Sequence, residues 1–248
     1  MFADLKTVMW KEYLEIFCTN GNLRQAFVKL LLFIVIITVF LPISTVDTER
    51  QISTWFQLWY LVPAVTTIGI IPDAFAGERE RHTLATLLAS RLNVRAIALG
   101  KMAVAVIYAW SVTMLLSLSL LVKINFSDRS QQLELYPSDF FVSGSIGSLL
   151  LSILVANIGI LASYQAESIK QAYKRVTTSL MFVNLLPLVV MLAIALLFPP
   201  SVRQNVANLL VQTSHVTIAV RLLSLAILDL FLVALVLKLF KRTRLMSC

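Results

Sequence analysis

Charge is scarce in this sequence. Only 14% of its 248 residues are Asp, Glu, Lys or Arg, whereas 58% are hydrophobic and the mean hydropathy is +0.85. Soluble domains carry about 25% charged residues, so this composition excludes both an ordinary soluble globular domain and a disordered chain. Cysteine is scarcer still. Cys18 and Cys248 stand alone and form no CxxC, which excludes a disulfide framework and a zinc site of that kind. The common catalytic signatures are also missing. There is no HExxH and no GxSxG, and the Gly100-Lys101 pair is followed by Met102, with Arg95 where the first glycine of a phosphate-binding loop belongs. The chain therefore carries no ATPase motif of its own and is read as a non-enzyme.

What is abundant is long apolar runs. A bilayer core of about 30 Å needs roughly 20 apolar residues per helix. Six stretches meet that length: 27–46, 55–75, 97–122, 140–164, 178–198 and 218–240. They predict an all-α integral membrane protein with six transmembrane helices in one domain spanning 1–248. The mixed, charged residues ahead of the first stretch distinguish it from a secretory signal. No internal repeat of fixed period is visible.

The net charge of +8 is mostly topology. Lys and Arg concentrate before the first span, between spans two and three, between spans four and five, and after span six. Only Arg50, Lys123, Arg129, Arg203 and Arg221 fall on the other side. The positive-inside rule then predicts cytoplasmic N and C termini and removes nucleic acid as the explanation for the charge. His82 and His215 fall on opposite sides of the membrane. Trp55, Phe56, Trp59 and Tyr60 are expected to form an interfacial belt at the outer end of span two.

Two cytoplasmic segments stand out. In 1–26, Leu5, Val8, Met9, Tyr13, Ile16 and Phe17 fall on one helical arc, with Asp4, Lys11, Glu15 and Cys18 opposite and Glu12 spoiling the apolar face. This predicts a helix lying in the inner interface. Segment 76–96 opens with Glu78, Arg79, Glu80 and Arg81. Thr83 then caps a short helix in which Leu84, Leu87 and Leu88 recur at i, i+3 and i+4, and Arg91 and Arg95 follow. A charged, apolar-striped helix of this kind suits docking by a soluble partner; the same residues also suit a solvated loop obeying the positive-inside rule.

The outer pieces are plainer. Pro199-Pro200 stops one helix, and Ser201 with Gln204 caps another whose Val202, Val206, Leu209 and Leu210 share a face. Within the bilayer, Asp229 falls near the middle of span six, where an ionised carboxylate is costly unless paired, protonated or wet. It reads either as a wall of a polar or proton-linked path or as a hydrogen bond to Thr66, Thr67 or Ser111. Asn157 and Asn184 fit an interhelical polar contact, and Ser143, Gly144, Gly147 and Ser148 suit close helix packing.

The block from Glu78 to Lys101, an acid-Arg-acid cluster followed by Thr83-Leu84, Leu87-Leu88 and a distal Gly-Lys, resembles the ABC type-2 exporter permeases. Trp10, Lys11, Glu12 and Glu15 resemble that family's elbow helix, and Ala156–Ser163 with Glu167 and Ala172 its span-four ending. Arg91-Leu92-Asn93-Val94 departs from the small residue and proline of many relatives. The resemblance implies a coupling helix between helices 2 and 3 and a short external helix between helices 5 and 6. It implies docking of two copies of an ATP-binding subunit, which would hold ATP and Mg, on Glu78, Arg79, Glu80, Arg81, Thr83, Leu84, Leu87, Leu88 and Arg91. It further implies pairing with a second permease copy or a related permease, in contact with membrane lipid, and a multi-pass location in a bacterial inner membrane. An ion-coupled transporter using Asp229, or a membrane anchor for an ATPase, are the alternatives.

Overall fold

The computed structural model describes residues 2–18, 32, 34–36, 38, 48–127, 138–164, 166–197, 199 and 215–239. Among them every regular element is helical and no strand occurs. The helices are α1 (Phe2–Cys18), α2 (Thr48–Ile70), α3 (Asp73–Glu80), α4 (Leu84–Ala89), α5 (Val94–Ser127), α6 (Ser138–Tyr164), α7 (Ile169–Leu197) and α8 (His215–Leu239). Four stretches are long and apolar enough to cross a membrane: Trp59–Glu80, Val94–Lys123, Ser138–Tyr164 and Ile218–Leu239. The chain is a helical membrane protein. Most of the expected first span, and the expected external helix at 201–210, lie outside the described residues.

The helices meet around two kinds of contact. Apolar residues from α1, α2, α3, α5, α6 and α8 form the largest core, including Val8, Ile71, Phe75, Ile97, Ile160 and Val236. A second core joins Leu154 and Val155 of α6 to Val176 and Leu180 of α7. Small residues let the backbones approach. A Cβ added to Gly144 would sit 2.5 Å from the Trp59 ring, and one on Gly159 would sit 2.2 Å from Ile71 Cγ2. The small residues at the start of α6 are therefore packing residues, as their spacing suggests.

Trp59 is not part of a lipid-facing belt. It is buried, and its ring meets Phe140 and Phe141 edge-on with centroids 6.2 and 5.6 Å away. The close approach permitted by Gly144 draws this indole inward, and aromatic edge-to-face contacts hold it there.

The chain breaks between α2 and α3 at Ile71-Pro72, and one side chain from α6 closes the break. Ser163 Oγ accepts hydrogen bonds from the backbone N–H groups of Phe75 (3.3 Å) and Ala76 (3.0 Å) and donates to Pro72 O at 3.1 Å. A buried hydroxyl thus satisfies donors that the start of α3 leaves free. Ala76, Ala166 and Ala172 pack beside it, small enough to seat α3 against the α6–α7 turn.

Candidate functional site

The α3–α4 segment is a helical hairpin. Its turn closes with His82 N–H donating to Arg79 O (3.0 Å) and Thr83 N–H to Glu78 O (2.9 Å), the bonding pattern of a Schellman motif. His82 occupies the left-handed position, with φ of 58°, where glycine is usual. Thr83 begins α4, but its hydroxyl does not cap that helix. It turns back instead and hydrogen-bonds the carboxylate of Glu78 as well as the Glu78 carbonyl at 3.2 Å. The exit from the hairpin is capped differently. Asn93 Oδ1 accepts from Arg95 N–H at 3.0 Å and starts α5, in place of a proline.

Glu78 is the centre of the site. It is buried to 6% exposure, and Lys11 of α1 donates to its Oε1 at 2.9 Å. Lys101 of α5, 4% exposed, lies 3.5 Å from the same oxygen and 2.7 Å from Glu12 Oε1, the latter an ion pair without hydrogen-bond alignment. Lys11 reaches Glu15 at 3.1 Å. Lys101 also stands over the Phe75 ring, 5.9 Å from its centroid. The carboxylate oxygens of Glu12, Glu15 and Glu78 converge to within 4.8 Å of one another, and the ammonium groups of Lys11 and Lys101 lie among them. Three carboxylates against two ammonium groups make a compact, nearly neutral knot joining α1, α3 and α5.

Two groups on α1 show how the knot is balanced. Burial raises the carboxyl of Glu12 above its usual range, against the opposing pull of Lys101. For Lys11, burial works to lower the ammonium, but its hydrogen bonds to Glu78 and Glu15 outweigh that and raise it above its ordinary value. Glu12, which looks like a flaw in the apolar face of the first helix, is half-buried because its partner lies 89 positions later in the chain. Close contact makes this possible. A Cβ on Gly100 would fall 2.7 Å from Val8 Cγ1, so α1 lies directly on α5.

Two other charged residues of α3, Arg79 and Glu80, turn toward α6 and α7. Arg79 donates to Ala166 O (2.6 Å) and Tyr164 O (3.1 Å), placing a guanidinium at the C-terminal end of α6, where cations are favoured. Glu80 Oε2 accepts from Ile169 N–H at 3.1 Å, at the N-terminal end of α7. Arg81 pairs with Asp73 at 3.1 Å across the surface. The cluster Glu78–Arg81 is therefore mostly bound within the chain, with Glu78 buried and not offered to a partner. Leu87 packs on the main core. The exposed members of the segment, among the described side chains, are Glu80, Arg81, His82, Thr83, Thr86, Ala89, Arg91, Asn93 and Arg95. The side chains of Leu84, Leu88 and Asn184 lie outside the described residues. On α1, Trp10 is exposed at 64% and stacks on Tyr13 with ring centroids 6.1 Å apart.

The membrane interior holds the opposite arrangement. Asp229 on α8 and Asn157 on α6 are buried, and neither carboxylate oxygen nor amide atom finds a hydrogen-bond partner among the described residues. Thr66 and Thr67 do not supply one. Their hydroxyls bond back to Val62 O (2.7 Å) and Pro63 O (2.6 Å) of their own helix, around the proline inside α2. These hydroxyls satisfy carbonyls next to the proline rather than a residue on another helix.

No family model, curated protein or solved structure matches this chain.

Proposed function

We propose that the chain is the permease subunit of an ATP-binding cassette exporter. It would span the membrane six times with both termini in the cytoplasm, and the α3–α4 hairpin would bear on a separate ATP-binding subunit. The observation that carries this reading is the way the hairpin is tied. Glu78 joins it to α1 and α5, while Arg79, Glu80 and Ser163 join it to α6 and α7. A push on its exposed surface at Arg81, His82, Thr86 and Arg91 would reach four helices, α1, α5, α6 and α7, through short, directional bonds. A solvated loop needs no such ties.

In this mechanism ATP and Mg stay on the partner, of which two copies dock on two permeases. The permeases are two copies of this chain or one copy with a related one. Closure of the ATP-binding subunits moves the hairpin, and α2 and α5, continuous with it, carry the motion across a bacterial inner membrane. The docking contacts are then the exposed residues of the hairpin, with Glu78 holding the hairpin in place. The elbow helix α1, with Trp10 exposed beside Tyr13, rests at the interface and follows the hairpin through Lys11.

The test is affinity purification of the tagged chain from membranes together with its ATPase partner. Arg81→Glu with Arg91→Glu should abolish co-purification and ATP-driven flux while helicity stays unchanged and stability falls by no more than about 1 kcal/mol, because both side chains are exposed and the surface pair of Arg81 with Asp73 contributes little. Full association and flux in that variant would overturn the reading.

A second reading is favoured by one observation, the buried Asp229 in α8, which has no hydrogen-bond partner among the described residues. An ion-coupled transporter would use this carboxyl as its cation or proton site. Flux that persists on a gradient without ATP, and is lost in Asp229→Asn, would select it. An anchor that recruits an ATPase without transporting anything would show association and no flux.

A further inference from the structure

We propose that the cavity between α6 and α7 is a binding site for an anionic phospholipid of the leaflet nearest the α3–α4 hairpin. The inference needs only that the chain resides in a membrane and does not rest on ATP-driven transport. The cavity measures about 790 Å³, within the roughly 300–1,000 Å³ range of small-molecule sites. Its α6 wall is apolar, with Ile158 and Leu161, whereas its α7 wall presents Lys174, Arg175, Thr178 and Phe182.

The order of these side chains along α7 is that of an amphiphile. The two cations lie in the second turn, near the α6–α7 connection. Phe182 follows Lys174 by eight positions, about 12 Å farther along the axis and deeper into the apolar part of the bundle. Phe182 is 69% exposed and continues into an open apolar surface that includes Met181. A headgroup at Lys174 and Arg175 would therefore leave its acyl chain lying toward Phe182.

The cations are also unsatisfied. Among the described residues neither Lys174 nor Arg175 makes an ion pair or hydrogen bond, and no carboxylate lines the cavity. This contrasts with Lys11, Lys101, Arg79 and Arg81, which all have partners. The hydroxyl of Thr177, one position outside the lining, bonds back to Tyr173 O at 2.9 Å. Those of Thr178 and Ser179, inside it, make no such bond among the described residues. Two cations and two hydroxyls without partners among the described residues, facing an apolar wall, complement a phosphodiester with ester oxygens below it. Basic pockets between membrane helices are suited to such headgroups.

The test is native mass spectrometry of the purified full chain, titrated separately with phosphatidylglycerol and phosphatidylcholine. The wild type should retain phosphatidylglycerol roughly 30-fold more tightly, as expected for two cations that each contribute about fivefold toward an anionic headgroup. Lys174→Gln with Arg175→Gln should lose that preference, while Lys174→Arg with Arg175→Lys should keep it; circular dichroism and gel filtration confirm that both variants fold. Equal retention of the two lipids by the wild type, or an undiminished preference in the Gln variant, would overturn the proposal. So would displacement of the lipid by equimolar inorganic phosphate, which would make this a soluble-anion site. A loss of self-association in the Gln variant without any lipid effect would assign the cavity to a second copy of the chain and equally overturn it.

Discussion

Among the described residues, charged side chains are buried in two places and are treated in opposite ways. At the junction of α1, α3 and α5, Glu78 and Lys101 are enclosed with every charge matched by a neighbour within 2.7 to 3.5 Å. On α8 and α6, Asp229 and Asn157 are enclosed with nothing matched to them among the described residues. Enclosing an ion is expensive in either place. The first region recovers the cost through mutual attraction, so its charges are fixed parts of the framework. The second does not, so its stability does not depend on keeping the carboxylate. The difference separates charges that hold the fold from a carboxyl that no described residue holds.

Removing one member of the knot should therefore have the largest effect. Lys101→Met strands Glu12 and leaves Glu78 to Lys11 and Thr83 alone, and a loss of about 3–5 kcal/mol is expected for breaking a buried pair, read as a large drop in thermal midpoint in detergent. A drop no larger than that of a surface variant would erase the contrast. Next comes the approach of α1 to α5. Gly100→Val drives a side chain into Val8 and should cost about 1–3 kcal/mol by overpacking, with α1 more open to proteolysis near Lys11.

How much of this was legible in the sequence depends on the range of the interaction. The helix spanning Phe2–Cys18 and the short α4 follow from local periodicity, and so do the four confirmed apolar stretches. Local patterns also explain why Gly144 packs closely. They fail where the deciding partner is far along the chain. Glu12 reads as a defect until Lys101 is beside it, and Ser163 reads as a small residue in a span until it caps α3. Trp59 has the composition of a belt residue, and only the glycine opposite it reveals a core position. Thr83 has the right position for a cap, yet its hydroxyl prefers the buried carboxylate. A charge run offers no local sign of which members are bound internally, so the exposed subset at Arg81 and Arg91 emerges only from the packing.

A smaller effect sharpens the electrostatic side of the comparison. Lys11 is held above its ordinary value of 10.5, so its pairing contributes fully below that pH and is lost as pH rises beyond it. Because its side chain is 44% exposed, the loss should stay under about 1 kcal/mol. Thermal midpoints recorded across the alkaline range should fall more steeply for the wild type than for Lys11→Met. Smallest of all should be Asp229→Asn. With no partner among the described residues to strand, it should leave the thermal midpoint unchanged or slightly raised. A loss approaching that of Lys101→Met would mean that Asp229 is paired, and the contrast between the two regions would fail.

The knot itself is tested most directly by a double-mutant cycle on Glu78→Gln and Lys101→Met, read as unfolding free energy in one detergent. If the two charges hold α3 to α5 as a unit, the double variant should lose less than the sum of the single variants, with a coupling of about 1–3 kcal/mol. Losses that simply add would show that Glu78 and Lys101 act independently, and would contradict the knot as the device that ties the hairpin to the bundle.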